Sequence, residues 1–249
     1  MGKKLRIFSI FALCLAFCLL LLASFSSVVY LIEKKNNIYS YFSFSKASDI
    51  YWAKEIMNGG YILHFRHAER DKWIDVQMYD ALESDVHNNG LNESRYAEND
   101  YFDKAVCLNA KGKIQAKAIG ESLKYIGLPI GAVHSSVSCR ARQTAELAFG
   151  GYDQLHRILV HRGTYNEDPK AHIEKLKTLY SNFPKINAKN IIVSSHGRVI
   201  DCKMFVNYKC PVLGLKEGGF YVIRNTKDGL VFEHEFSNFV RFNRVFYKR

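Results

Sequence analysis

Short apolar runs alternate with helical stretches along most of this chain, and that alternation limits the folds open to it. Tyr61–Phe65, Ala132–His134, Ile158–Val160 and Asn190–Ser194 are three to five residues long, apolar and bounded by turn residues, as buried strands are. Between them lie helical patterns. Ser48 can cap a helix to about Asn58, ended by Gly59-Gly60. Asn109 can cap one to about Ile126, stopped by Gly127 and Pro129. Arg140–Phe149 and Ala171–Tyr180 read as two more helices, and the chain after His196 reads as helical again. Gly219–Arg224 and Leu230–Phe236 read as a hairpin around Lys227-Asp228-Gly229. Strands alternating with helices predict an α/β three-layer sandwich with a mostly parallel central sheet. In such sheets ligands bind beyond the carboxyl ends of the strands.

A second constraint lies at the N-terminus. Ile7 to Ile32 carry no charged side chain, and about 20 apolar helical residues cross a bilayer core. Lys3, Lys4 and Arg6 precede the run, which sets the N-terminus in the cytoplasm and the rest outside. The expected organisation is a cytoplasmic N-terminus at 1–6, a transmembrane signal anchor at 7–32, a juxtamembrane linker at 33–47 and a domain at 48–249. The other reading is a cleaved signal peptide with its apolar region at Ile7 to Leu22. Apolar residues from Val28 to Ile32 favour the anchor, since a cleaved peptide does not need them.

The net charge of +11 would suit nucleic acid, but its distribution does not. Residues 1–40 hold five Lys/Arg against Glu33, so four of those charges flank the apolar run. Residues 71–106 hold nine Asp/Glu against Lys72, Arg95 and Lys104, a net of −6. No basic run with interleaved aromatics and no zinc-finger spacing occurs. The remaining positive charge fits an anionic substrate or an anionic lipid surface. Cys14 and Cys18 lie in the apolar run. Of Cys107, Cys139, Cys202 and Cys210, the last two are close enough in sequence to suggest a pair, with four free thiols as the alternative. No cysteine or histidine spacing reads as a metal site.

The residues after each proposed strand are chemically alike. Arg66-His67-Ala68-Glu69-Arg70 follows the first, Ser135-Ser136 and Arg140-Ala-Arg-Gln143-Thr144 the second, His161-Arg162 with Glu167-Asp168 the third, and Ser195-His196-Gly197 the fourth. Each is unremarkable alone, since single histidines are usually structural. Their convergence at one sheet edge is what indicates a site.

The RHAE at 66–69, the SSVSCRARQTA at 135–145 and the VSSHG at 193–197, in that order, resemble the histidine phosphatase superfamily, also called phosphoglycerate-mutase-like. The resemblance runs from about Tyr61 to Phe236, except for 71–106. It implies hydrolysis of a phosphomonoester through a phosphohistidine on His67. A neutral imidazole is a good nucleophile when its second nitrogen is oriented by a hydrogen bond. Arg66 and Arg140 match the family's phosphate-clamping arginines, and a guanidinium fork suits phosphate oxygens. His196 matches the second histidine of the pocket. Glu167 is the first choice of general acid, with Asp168 second and Glu69 third. Arg70 and Ser135 are candidate substrate contacts. The resemblance implies no metal and no cofactor.

Two departures bear on the branch. Ala68 stands where many members have Gly, which is tolerable unless the backbone there is left-handed. Gly197 follows His196 where the acid-phosphatase and phytase branch carries Asp, so that branch is disfavoured, as is a mutase. The acidic insertion at 71–106 includes Trp73, Ile74, Val76, Met78, Tyr79 and Leu82. It reads as a lid that sets substrate choice or as a loop that packs on the domain. The expected partners are a phosphorylated small molecule or glycan and the membrane, and no nucleic acid. A non-catalytic phospholigand-binding module and a cytoplasm-facing protein phosphatase are the rival functions.

Overall fold

The computed structural model describes residues 47–71, 106–160, 168–209 and 214–247. The apolar segment at 7–32, the linker at 33–46 and most of the acidic insertion lie outside the described residues. Among the described residues, no helix is long and apolar enough to cross a membrane.

Helix α1 covers 47–55 and runs into a 3-10 turn, Ile56–Asn58. Strand β1 is Ile62–Arg66 and helix α2 is Ala110–Ile126. The Asn109 side chain accepts from the Gly112 amide, and Gly127 ends α2 in the left-handed region at φ 70°, as the sequence indicates. Strand β2 is Ile130–Ser136 and helix α3 is Cys139–Phe149, ended by left-handed Gly150. Strand β3 is Gln154–His156 and helix α4 is Pro169–Ser181, capped by Asp168. Strands β4 (Asn190–Ser195), β5 (Phe220–Asn225) and β6 (Leu230–Phe236) precede helix α5, Phe239–Phe246.

The six strands form one sheet in the order β3-β2-β4-β1-β5-β6. The β3–β2, β2–β4 and β4–β1 pairs are parallel. The β1–β5 and β5–β6 pairs are antiparallel, so the sheet is mixed, and the hairpin at 219–236 supplies its antiparallel edge. Alternation along the strands gives each face its own core. Ile62, Ile191, Val193, Tyr221 and Ile223 pack against Leu176 and Tyr180 of α4 with Met204 and Phe205. Leu63, Phe65, Ile192, Phe220 and Val222 pack on the other face against α1, α2, α3 and α5 through Ala53, Ile119, Leu123, Ala145 and Phe242. This is the expected three-layer sandwich.

The structure departs from the sequence pattern in three places. Ile158–Val160 is not a strand. The strand is Gln154–His156, and Arg157–Leu159 is a 3-10 turn that buries Leu159 and Val160. A short apolar run does not distinguish a strand from a buried turn. The chain after His196 forms no α-helix, only the 3-10 turn Cys202–Met204, because Val199 and Ile200 are used as core-filling irregular residues. Helix α5 was not anticipated. Its Phe, Val and Asn residues are mediocre helix formers, and burial of Phe239 and Phe242 holds it in place.

One disulfide was not anticipated, and it excludes four free thiols. Cys107 and Cys139 form a disulfide with their Cα atoms 4.9 Å apart, across a sequence separation of 32. Cys202 is also disulfide-bonded, and Cys210, the partner its position suggests, lies outside the described residues. In the chain-entropy picture, closing a loop of the size between Cys107 and Cys139 stabilises by about 3–4 kcal/mol. Replacing both Cys107 and Cys139 with Ser should therefore lower the unfolding free energy by roughly 2–4 kcal/mol in urea titrations under oxidising conditions. An unchanged midpoint would contradict a stabilising role.

Candidate active site

The site is assembled by strand register. Parallel pairing sets Arg66 of β1 opposite Ser195 of β4, and the His67 amide then donates to the Ser195 carbonyl at 2.9 Å. One residue further, the His67 and His196 rings face each other with centroids 5.2 Å apart at 69°. Both are nearly inaccessible, at 3% and 4%. On the other side of β4, Ser135 of β2 pairs with Ser194, which places Ser136, Ser138 and Arg140 at the same edge.

The hydrogen bonds at His67 settle its tautomer. Nδ1 lies 2.7 Å from the Ala68 carbonyl oxygen. A carbonyl only accepts, so Nδ1 carries the proton and Nε2 keeps its lone pair. Burial holds the His67 ring well below the usual imidazole range, and the positive charges of Arg140, Arg66 and Arg70 push in the same direction against the Ala68 bond. His67 is therefore neutral at neutral pH.

The loop bearing His67 is held from beneath. The Ala68 amide donates to Thr144 Oγ1 at 3.0 Å, and the Glu69 amide donates to Gln115 Oε1 at 2.8 Å. A Cβ on Gly112 would lie 1.9 Å from the Glu69 carbonyl oxygen, so this first turn of α2 admits only glycine. Ala68 is fully buried, and it is not among the described residues with left-handed backbone. Alanine thus fits where the resemblance made glycine usual.

Arg140 is 1% exposed at the start of α3, and its Nη1 donates to the Val106 carbonyl at 3.3 Å. The Cys107–Cys139 disulfide joins the residue after Val106 to the residue before Arg140. Arg66 donates through Nη1 to the Leu215 carbonyl at 2.5 Å and pairs through Nη2 with Glu217 at 2.7 Å. Glu217 is a site residue that sequence reading missed. It stands 151 residues from Arg66, in the turn before β5, with no motif around it. A side chain at Gly197 would sit 3.3 Å from Arg66 Cδ, so the position that carries Asp in another branch here makes room for the arginine.

Arg70 donates to the Asp71 carbonyl at 2.6 Å, and its charge reaches His67. Ser135 is fully buried and its hydroxyl donates to the Ser136 carbonyl at 2.9 Å. The Ser136 and Ser138 hydroxyls, not singled out beforehand, lie 3.5 and 3.2 Å from His196 Nε2. Glu167 lies outside the described residues. Asp168 caps α4, accepting from the Ala171 amide at 3.3 Å. No cluster of three or more metal-ligating side chains occurs among the described residues. A groove of about 480 Å³ between α2 and α3 is lined by Lys117, Leu128 and Leu147 and by none of the residues above.

Residues 92–162 match the family model described as histidine phosphatase superfamily, branch 1. The family likeness of this chain is to the histidine phosphatases. The matched stretch includes Ser135 and Arg140, and the motifs around His67 and His196 flank it. Among solved structures, the protein histidine phosphatase SixA complexed with tungstate shares 16% identity, covering 70% of this chain and 95% of that one at a TM-score of 0.43. A phosphoserine phosphatase from Entamoeba histolytica in complex with 3-phosphoglyceric acid shares 16% identity, with the same coverages and a TM-score of 0.42. No curated protein matches the chain.

The buried histidines of this histidine phosphatase-like domain give a stability signature. His67 is held well below its ordinary 6.5, and burial lowers His64 to about 4. Above pH 6.5 both rings are neutral whether the chain is folded or not. Between pH 6.5 and about 4 the unfolded chain binds a proton that folded His64 refuses, and His67 acts in the same direction, so stability falls as pH falls. His64 contributes up to about 1.4 kcal/mol per pH unit in that window. Urea midpoints should drop steadily from pH 6.5 to 4.5, and a midpoint that holds level or rises there would contradict neutral burial.

Proposed function

We propose that this chain is a phosphatase that hydrolyses a phosphomonoester through a covalent phosphohistidine on His67. The observation that carries the reading is the His67 tautomer. Its proton sits on Nδ1 against Ala68 O, and Nε2 is left to attack beside a fully buried arginine and a second histidine.

In the proposed reaction Arg140, Arg66 and His196 hold the phosphoryl oxygens and offset their charge, which is most of what phosphoryl transfer asks of a protein. Nε2 forms a bond to phosphorus as the P–O bond to the alcohol breaks. The leaving oxygen takes a proton from a carboxylic acid, for which Glu167 remains the first choice. A water, deprotonated by the same carboxylate, then attacks the phosphohistidine, releasing phosphate and restoring neutral His67. Arg66 is already anchored by Glu217 and Leu215 O, which reduces the entropy lost on binding. Arg70 adds positive charge near the ring.

The substrate we favour is a phosphorylated small molecule or glycan, outside the cytoplasm, with the chain held by the segment at 7–32. The Cys107–Cys139 disulfide supports an oxidising compartment. It also counts against the cytoplasm-facing alternative, and the intact set Arg66, His67, Arg140 and His196 counts against a mere binding module.

The test is hydrolysis of para-nitrophenyl phosphate by the full chain in detergent, with EDTA present. The wild type should turn over, and His67→Ala should lose at least about a thousandfold in kcat/KM, as loss of a nucleophile does. Turnover that survives His67→Ala would sink the nucleophile assignment. Glu217→Gln should raise KM several-fold, because Arg66 loses its ionic anchor while its own charge remains. A reporter fused to the C-terminus and active only in the cytoplasm would overturn the topology.

A further inference from the structure

His64 is a buried polar residue at a position in β1 where its neighbours Ile62, Leu63 and Phe65 are apolar. It points to the α4 face of the sheet and is 0% exposed. Its Nδ1 lies 2.6 Å from the Tyr180 hydroxyl and its Nε2 lies 2.9 Å from the His196 carbonyl oxygen. Because a carbonyl only accepts, Nε2 carries the proton. The ring is neutral at neutral pH, since burial lowers it to about 4. Nδ1 is then an acceptor, and the Tyr180 hydroxyl donates to it. The chain of donation runs from Tyr180 in α4, through His64 in β1, to the backbone of His196.

Two further contacts hold this peptide and the next. The Val199 amide donates to His196 O at 3.3 Å. Tyr221, stacked on His64 with centroids 5.8 Å apart at 17°, donates its hydroxyl to the neighbouring Gly197 carbonyl at 3.4 Å. The ladder of β4 ends at Ser195, so His196 is the first residue the sheet does not hold. His64 and Tyr221 supply the constraint that the ladder stops supplying. A bonded buried pair is not in itself a large source of stability, since replacing both partners with apolar groups of like shape can be nearly neutral.

We propose that His64, oriented by Tyr180, is a positioning residue that fixes the backbone of His196 and so aims the His196 ring at the phosphoryl group. The proposal rests on the phosphatase reading for its consequence in rate, and on geometry alone for the coupling between the two histidines. Removing the Nε2 donor loosens the 196–197 peptide, which keeps the longer bond from the Val199 amide. A displacement of the ring by a fraction of an ångström then costs rate more than binding, because His196 must meet the charge that develops during transfer.

The experiment uses the full chain in detergent micelles and three variants. His64→Leu removes the donor and keeps an apolar filling. His64→Gln keeps an N–H that can reach His196 O and an oxygen that can accept from Tyr180. Tyr180→Phe removes only the orienting hydroxyl. With para-nitrophenyl phosphate, His64→Leu and Tyr180→Phe should each lower kcat about tenfold at nearly unchanged KM, and His64→Gln should recover most of the loss. In nitrogen-15 spectra of the imidazoles, wild-type His64 should show the Nε2–H tautomer, and the His196 ring signals should shift in His64→Leu and Tyr180→Phe. A wild-type Nδ1–H tautomer at His64 would overturn the proposal, as would His196 signals that neither variant moves. Should the wild type show no turnover, the phosphatase reading fails, and the spectra still decide the coupling. Should one variant fail to fold, the tautomer of the wild type and the remaining variants decide it.

Discussion

The parallel pairing of β1 with β4 is the constraint on which the site depends. It sets Arg66 against Ser195 and carries the hydrogen bond from the His67 amide to Ser195 O. Slipping that register by one residue would turn every side chain of β1 to the opposite face. His67 and His196 would separate, and the two cores would exchange their apolar and polar residues. The sandwich therefore protects the register through packing. Ile62 and Leu63 commit to opposite cores, as do Ile191 and Ile192. The geometry of the proposed site and the packing of the core are two consequences of one pairing.

Around that pairing the protein places charge and desolvation in the same direction. Burial and arginines both keep His67 neutral, while the Ala68 carbonyl decides which nitrogen is bare. Three devices far apart in the chain hold the surroundings still. Gln115 ties the loop after β1 to α2, and it also donates to the Glu217 carbonyl at 2.9 Å. Glu217 anchors Arg66, and the Cys107–Cys139 disulfide lies beside Arg140. On the proposed reading, the phosphate contacts are thus organised before a phosphoryl group arrives, which keeps the reorganisation cost low.

Much of this was legible in the sequence because it is local. Asn109 and Gly127 mark both ends of α2, and the apolar runs at 61–65 and 190–194 fall on the core strands β1 and β4. The four residues Arg66, His67, Arg140 and His196 follow strand ends, where α/β sheets place their chemistry. What could not be read is either short or long-range. Gln154–His156 is too brief and too polar to announce a strand, whereas Ile158–Val160 is apolar for the sake of a buried turn. Helix α5 exists because Phe239 and Phe242 find a core, not because its residues favour helix. Glu217 meets Arg66, and Cys107 meets Cys139, only once the fold has brought them together. His64 looked like one more apolar-run residue until Tyr180 and the His196 carbonyl gave it partners.

The most direct test of the central claim is to trap the intermediate. The full chain would be mixed briefly with an aryl phosphate, quenched in alkali, digested and sequenced by mass spectrometry, with acid treatment of a parallel sample. The account predicts one added phosphoryl group on His67 that survives alkali and is lost in acid, as a phosphoramidate is. A phosphoryl group on any other residue, or turnover with no phosphorylated peptide under conditions where formation outpaces breakdown, would contradict it.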